Sequence, residues 1–143
     1  MRLIDVVTTS RTVAATRSRL AKREAIASLL RSTPPADVEL VVAYLAGALP
    51  QRRTGLGWRS LGDLPAPAAE PSLEIAEVHA ELDHISALAG EGSANTRAEA
   101  AAALFARATA DEQTFLRSLI IGELRQGALD AVMLDAVADA SGV

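Results

Sequence analysis

Cysteine is absent from the 143 residues, and aromatic residues make up only 3% of them. The first absence excludes disulfides and thiolate metal sites, so nothing in the chain indicates an oxidising compartment. The second means that any core must consist mainly of small aliphatic side chains. No apolar run approaches the roughly 20 residues that a membrane span needs, and the start at residues 1–5 does not resemble a secretory signal. We therefore expect a cytoplasmic chain with no membrane partner.

A surplus of positive charge is also missing, because the formal net charge is −4 and Lys22 is the single lysine beside 13 arginines. Proteins that bind nucleic acid by simple electrostatics usually carry a basic surplus. The charge is uneven, however: residues 1–60 hold ten basic and four acidic residues, or +6, whereas residues 61–143 hold four basic and fourteen acidic residues, or −10. This asymmetry is compatible with one basic face that binds a polyanion and one acidic face turned to solvent.

Apolar residues recur at helical spacing along the chain, and strand alternation is lacking. The pattern predicts an all-α fold, a single helical domain of about seven helices with a long Gly/Pro-rich loop. The predicted helices cover residues 3–14, 17–31, 33–49, 72–89, 96–108, 109–120 and 129–140. Capping residues are expected before the third, fifth and sixth helices, namely Thr33; Ser93, Asn95 or Thr96; and Thr109 or Asp111.

Two of these helices have a clear apolar face. The fourth is expected to bury Ile75, Val78, Leu82, Ile85 and Ala89. The last is expected to bury Leu129, Val132, Met133, Ala136, Val137 and Ala140, with Asp130, Asp135 and Asp139 turned outward.

Helical periodicity is lost between residues 50 and 72, a stretch that holds four of the six prolines. Such a long segment without regular structure inside a compact domain is usually functional or mobile. Within it, Arg52 and Arg53 precede Gly55 and Gly57, and the glycines would let the backbone approach phosphate groups closely. The alternative is a flexible surface loop anchored by Trp58.

A second candidate corner joins the last two helices at Gly122–Gly127. Two glycines around Arg125 offer backbone N–H groups and one cation at an exposed point, which suits an anion such as phosphate. The alternative is a glycine that ends the helix, a second glycine in the turn and a solvated arginine.

The order of these segments resembles a known family. The sequence Gly-Glu-Leu-Arg-Gln-Gly at residues 122–127 is similar to the Gly-x-Leu-Arg-x-Gly signature of the N-terminal DNA-binding domain of ATP-dependent DNA ligases of the bacterial, high-GC type. In that family the signature follows an Ala-Thr-x-x-Glu-x-x-Phe-Leu helix, as at residues 108–116, and precedes an apolar helix with Ala-x-Ala near its end, as at 136–138. The Gly-Ser loop at 92–97 and the Gly-rich loop at 49–58 extend the similarity over most of the chain.

The resemblance implies a module that grips the minor groove and phosphate backbone of nicked double-stranded DNA without base readout. The family's catalytic lysine lies in a Lys-x-Asp-Gly motif, whereas Lys22 stands in Lys-Arg-Glu-Ala, so we expect this chain alone not to ligate DNA. ATP and Mg²⁺ are implied only for the parent ligase. We expect residues 1–143 to be the N-terminal domain, truncated at its C-terminal end, with the nucleotidyltransferase and OB domains of the same parent chain absent.

The resemblance and the two glycine-rich corners together give a set of candidate DNA-binding residues. They are Gly122, Leu124, Arg125, Gly127, Arg52, Arg53, Gly55, Gly57, Ser93, Asn95, Thr96 and Arg97. For Leu124 the expected role is packing on sugars, and for Arg125 it is contact with phosphate or the minor groove. Capping of the following helix explains Ser93, Asn95 or Thr96 without any ligand, although an anion at that helix N-terminus would use the same groups.

Other readings of the chain remain open or are excluded by geometry. The acidic second half and the alanine-rich helices also fit a helical protein-protein interaction module with no DNA role. Apolar surface left at a truncated end could give a weak homodimer.

The basic run from Arg17 to Arg23 fits a solvated helix face, with phosphate contact as the alternative. His79 and His84 lie five residues apart, about 140° around a helix, so they cannot share a metal ion.

Overall fold

The computed structural model describes residues 1–51, 53–57, 59–88, 90, 92–124 and 129–141, the last range with side chains from residue 132 onward. Within this part the chain forms seven α-helices and no strand, and one isolated bridge pairs Arg2 with Glu74. In chain order the helices are α1 (Leu3–Ala15), α2 (Arg19–Ser32), α3 (Val38–Leu45), α4 (Ile75–Ala87), α5 (Ser93–Ala106), α6 (Ala110–Ile121) and α7 (Leu129–Ser141). The all-α prediction is confirmed. No helix in the described residues is long and apolar enough to cross a membrane.

One core runs through the bundle. Tyr44, Phe105 and Phe115 are buried in it, and the other members are mainly aliphatic side chains that come from every helix, as the scarcity of aromatics predicts. Among the helix pairs, α2 packs most extensively on α7 and next on α1. Arg23 of α2 forms a two-pronged ion pair with Asp139 of α7, in which Nη2 lies 2.6 Å from Oδ1. The last helix of the chain therefore packs against the second.

The third helix differs from the sequence prediction at both ends. Thr33 does not cap α3, because it ends α2, where its hydroxyl donates to the carbonyl of Leu29 at 2.7 Å. A 3-10 turn at Pro35–Asp37 leads into α3 instead. That helix stops at Leu45 rather than at Leu49, because Gly47 adopts a φ of 80° and the N–H groups of Gly47 and Ala48 donate back to Tyr44 and Ala43. This is the hydrogen-bond pattern of a Schellman motif.

The predicted N-cap of α5 is wrong, whereas the predicted N-cap of α6 is confirmed. The helix α5 begins at Ser93, three residues earlier than predicted, and its N-cap is Gly92 with a φ of 79°. Ser93, Asn95 and Thr96 therefore lie inside the first turns and do not cap the helix. For α6 the prediction is confirmed, since the Thr109 side chain accepts from the N–H of Glu112 and Glu112 accepts from Thr109 in return.

The apolar faces of α4 and α7 are mostly as predicted. In α4 the expected residues are buried apart from Ala89, which lies outside the described residues. In α7, Val132, Met133 and Ala136 are buried, but Val137 is 37% exposed and Leu134 is 74% exposed. Asp139, expected to face solvent, turns toward Arg23 instead. The ion pair lies beside the buried face of α7, and Val137 lies near the edge of that face.

No helix forms in the described residues between Leu45 and Ile75, which confirms the predicted loop. The proline-rich part is nevertheless attached to the bundle. The side-chain amide of Gln113 donates to the carbonyls of Pro65 at 3.0 Å and Phe105 at 2.8 Å, and the N–H of Ala68 donates to the carbonyl of Ala108 at 2.9 Å. Leu61 and Leu73 enter the core from this segment.

Candidate nucleic-acid interface

The corner after α6 starts with a glycine that ends the helix. Gly122 has a φ of 86°, and the N–H groups of Gly122 and Glu123 both donate to the carbonyl of Ser118, at 3.0 Å and 2.9 Å. These two N–H groups are thus engaged within the protein. In the part of the chain that the structure describes, no atom beyond its chain neighbours and its own helix lies within 4 Å of a Cβ added at Gly122. Two further fixed positions of the signature, Arg125 and Gly127, lie outside the described residues.

Leu124 anchors this corner to the bundle. Its side chain is half-buried against the core and borders a cavity of about 210 Å³ together with Val7, Ala14 and Phe115. Its backbone lies against Gly47, where an added Cβ would overlap the Leu124 carbonyl oxygen and come within 3.0 Å of the carbonyl carbon. The corner is therefore held by α1, α6 and the turn that follows α3.

The Gly-rich loop at residues 49–58 begins two residues after Gly47. Gln51 is held by α4, since its amide nitrogen reaches Nδ1 of His79 at 3.3 Å and also contacts the Asp83 carboxylate. The Thr54 side chain is buried, and its hydroxyl accepts from the N–H of Leu56 at 3.2 Å. Arg53 and Gly57 are exposed. Arg52 and Trp58 lie outside the described residues.

Gly55 joins the loop to the start of α5. Gly55 has a φ of 74°, and a Cβ added there would lie 2.6 Å from Nε and 2.9 Å from Cδ of Arg97. Two segments that the sequence analysis assigned separately to DNA binding are therefore in direct contact. Arg97 also donates from Nη1 to the carbonyl of Leu88 and to the hydroxyl of Ser93, both at 2.9 Å.

The remaining polar residues of this region lie on the first turns of α5. Asn95 and Thr96 are exposed there, whereas Ser93 is half-buried beneath Arg97. The Thr96 hydroxyl donates to the carbonyl of Gly92 at 3.4 Å. The helix dipole and the first N–H groups of a helix favour an anion at this end.

These contacts place all three candidate segments along one short run of chain. Gly47 contacts Leu124 of the α6–α7 corner, and Gly55 contacts Arg97 of α5. Eight residue steps span at most about 28 Å, so the two contacts lie within that distance of each other.

Two residues of this arrangement were missed by the sequence analysis. Gly47 could have been found, because a glycine directly after an apolar helix pattern is a common helix stop. Gln51 carries no such signal, since its partners on α4 are distant in the sequence and only folding brings them together.

The electrostatics of this region come from exposed single charges rather than from a buried cluster. Within the described residues, no group of three or more histidine, aspartate or glutamate side chains could hold a metal ion. Tyr44 is fully buried, and this burial and the nearby charge of Asp83 raise the pKa of its phenol well above the ordinary value of 10. It therefore stays neutral and offers no charge to a ligand.

Comparison with known protein families identifies the family of this chain. The family described as "DNA ligase N terminus" matches residues 63–138. The chain belongs to this family. That range includes α4 to α7 up to Ala138, and with them Arg97 and the Gly122–Gly127 corner. The resemblance read from the sequence is thereby confirmed at the level of the family.

Curated relatives extend the match to the whole chain. A "Probable DNA ligase" of Beutenbergia cavernae is 67% identical over 143 residues, covering 100% of this chain and 28% of the relative. Proteins of the same name from Kineococcus radiotolerans and a Nocardioides species are 62% and 53% identical over 146 residues, covering 100% and 99% of this chain. This chain spans 28–29% of the length of these relatives.

Proposed function

We propose that this chain is the duplex DNA-binding module of an ATP-dependent DNA ligase. In this proposal it grips the minor groove and phosphate backbone around a nick without base readout. Residues 1–143 act as the N-terminal domain, and the nucleotidyltransferase and OB domains of the full-length protein seal the nick. Contacts with the backbone alone suit an enzyme that must join nicks in any sequence.

One observation carries this proposal. The run Gly47–Gly57 adjoins both other segments that match the ligase pattern, through Leu124 and through Arg97. Glycines at positions with open space, such as Gly57 and Gly122, permit close approach of a polyanion backbone. The exposed Arg53 supplies a cation to the same surface.

Each candidate residue has a role that its chemistry supports. Arg53, and in the same proposal Arg52 and Arg125, pair with phosphates or enter the minor groove. Asn95 donates to a phosphate oxygen from the first turns of α5, near the positive end of the helix dipole, and the exposed Thr96 lies beside it. Leu124 is half-buried against the core, so its part is to hold the corner, with only its outer edge available to a sugar.

The chemistry of ligation belongs to other parts of the full-length protein. Lys22 is the single lysine, and its sequence context does not fit the Lys-x-Asp-Gly motif that the family adenylylates. The described residues also do not fit a Mg²⁺ site. In this proposal ATP and Mg²⁺ bind only to the catalytic domains of the parent ligase. Incubating the full-length protein with labelled ATP or labelled NAD⁺ tests this assignment, since only ATP should transfer its adenylate.

The DNA-binding proposal is tested by fluorescence anisotropy of nicked and intact duplexes between about 50 and 200 mM salt. We expect binding that weakens as salt rises, and a slope of log K against log salt that decreases in size by about 0.9 for each phosphate contact removed by Arg53→Ala or Arg125→Ala. Arg107→Ala is the matched control, because Arg107 lies at the far end of α5 and pairs with Glu77. Absence of binding at low salt, or an equal effect of all three substitutions, would refute the assignment.

A second candidate function is a helical protein-interaction module. It is favoured by Leu134 and Val137, which expose apolar surface on α7. The same surface would support a weak homodimer of this chain. Sedimentation velocity over a range of concentrations tests the homodimer, which Leu134→Gln should abolish. An apolar interface would depend little on salt, in contrast to phosphate binding.

A further inference from the structure

The arginine at the start of α5 is directed into the protein. Nη1 of Arg97 donates to the Leu88 carbonyl and to the Ser93 hydroxyl, both at 2.9 Å. Nε is buried, has no hydrogen-bond partner among the described residues, and faces the α-carbon of Gly55. An arginine that binds phosphate usually presents the fork of its guanidinium to the ligand. Here part of that fork is used to join α5 to the end of α4.

The loop has a second attachment four residues earlier. Gln51 is half-buried, and its amide nitrogen lies 3.3 Å from Nδ1 of His79 and 3.5 Å from the His79 carbonyl, besides its contact with Asp83. His79 in turn lies 3.4 Å from the Asp83 carboxylate, one helical turn further along α4. The two attachments therefore rest on two different helices, α4 for Gln51 and α5 for Gly55.

The exposed Arg53 lies midway between these two attachments. A loop that is already ordered loses less conformational freedom on binding than a free loop does, so its affinity is higher for the same contacts. The αL conformation at Gly55 is needed for this arrangement, and the lack of a Cβ there leaves room for the Arg97 side chain.

We propose that Arg97 and Gln51 are positioning residues of the DNA-contact loop: they hold residues 51–55 on α5 and α4 so that Arg53 faces the duplex, and Arg97 does not itself bind phosphate. The inference rests on the proposed function and deepens it. It also changes the expected role of Arg97, which the sequence analysis placed among the direct DNA contacts.

A double-mutant cycle on nicked duplex separates positioning from contact. Arg97→Met keeps the apolar stem and removes the guanidinium, and we expect it to weaken binding about tenfold. If Arg97 acts through Arg53, the double variant with Arg53→Ala binds no more than about twofold more weakly than Arg53→Ala alone. Effects that multiply would mean that Arg97 contacts the DNA independently, and the proposal would be overturned. Arg107→Met, on the same helix about 15 Å away, is the control for lost charge.

The salt dependence of a neutral variant gives a second test. Gln51→Ala removes no charge, so we expect weaker binding with an unchanged slope of log K against log salt, whereas Arg53→Ala reduces that slope by about 0.9. Should Arg97→Met fail to fold, Ser93→Ala removes one acceptor of Arg97 and is expected to weaken binding in the same direction. Unchanged affinity in both Gln51→Ala and Ser93→Ala would contradict the positioning role.

Hydrogen exchange of the free protein distinguishes failure of this inference from failure of the proposed function. The amides of residues 53–57 should exchange faster in Arg97→Met and Gln51→Ala than in the parent protein or in Arg107→Met. Faster exchange together with no DNA binding by the parent protein would refute the DNA function while the anchoring stands. Unchanged exchange would refute the anchoring even if DNA binds.

Discussion

Gly47 lies directly against the carbonyl group of Leu124, so the turn that ends α3 and the corner that follows α6 meet backbone to backbone. Gly47 has a φ of 80°, and a Cβ added to it would overlap the Leu124 carbonyl oxygen. Only glycine satisfies both conditions, the backbone conformation and the close approach. This single contact joins the beginning of the long loop to the α6–α7 corner.

Substitution of Gly47 by alanine should destabilise the chain strongly. The αL conformation costs an alanine about 1–2 kcal/mol, and displacing a backbone carbonyl adds about 1–3 kcal/mol of overpacking. Gly122→Ala is the matched control, because Gly122 has a similar φ of 86° but open space around its α-carbon. Urea unfolding should therefore show a clearly larger loss for Gly47→Ala. Equal losses would mean that the Leu124 contact contributes nothing.

Gly55→Ala should reduce DNA affinity by more than its effect on stability explains. The added Cβ would lie 2.6 Å from Nε of Arg97, so the arginine side chain must move away from the loop. Gly92→Ala is the comparison, since Gly92 has a φ of 79° and nothing within 4 Å. Both variants should lose about 1–2 kcal/mol of folding stability from the αL conformation. Anisotropy with nicked duplex should show a further loss of affinity for Gly55→Ala only; equal affinities would contradict the Gly55–Arg97 coupling.

Gln113→Ala should release the proline-rich segment from the bundle. Its amide is buried and donates to the carbonyls of Pro65 and Phe105, so its loss leaves two acceptors without this partner and costs about 1–3 kcal/mol. Digestion with a protease that cleaves on the amino side of aspartate should cut faster before Asp63, two residues from Pro65. Thr114→Ala, at the exposed neighbouring position, is the control. An unchanged cleavage rate would show that other contacts suffice to hold the segment.

The Arg23–Asp139 ion pair should make folding stability sensitive to acid. The hydrogen bond from Arg23, helped by its charge, lowers the pKa of Asp139 below the ordinary value of 3.8. Because the pKa is lower in the folded state, the stabilisation is present above about pH 4 and is lost as the pH falls through the folded-state pKa. Glu77 behaves in the same way, since the backbone N–H of Glu74 and then Arg107 lower its pKa below 4.5.

Urea unfolding at a series of pH values between about 5 and 2 measures this dependence. We expect the free energy of unfolding to fall with acidification in the parent protein and to fall less steeply in Asp139→Asn. Arg23→Gln should flatten the curve to a similar extent, and the double variant should add little further change. A parent curve that coincides with that of Asp139→Asn would rule out a contribution from this pair.

Local sequence signals predicted the helices well where the cause is local. The reciprocal bonds between Thr109 and Glu112 at the start of α6 involve residues three apart, so the pattern Thr-x-x-Glu is sufficient to identify them. Prediction failed where competing local signals exist. Ser93, Asn95 and Thr96 are all residue types that favour the N-cap position. The N-cap is nevertheless Gly92, and the helix begins at Ser93 rather than at Thr96. Thr33 could serve either neighbouring helix and ends α2.

The candidate site shows the same division. The family pattern identified the Gly-rich loop, the start of α5 and the Gly122–Gly127 corner as segments, because motifs are linear and can be read along the chain. The role of Arg97 could not be read in this way, since its partners include Gly55, which is far from it in the sequence. The exposure of Val137 likewise depends on how α7 packs against α2, two helices that are far apart in the sequence.

The sequence by itself determined the all-α class, most helix limits, the long loop and the membership of a ligase family. Helical periodicity, capping patterns and glycine positions act over a few residues and therefore appear in the linear order of the chain. Only the tertiary structure decided that Gly47 meets Leu124, that Gln51 rests on α4 and that Arg97 packs on Gly55. Such contacts depend on how helices pack and rotate against one another, and packing is a property of the whole core rather than of any one segment.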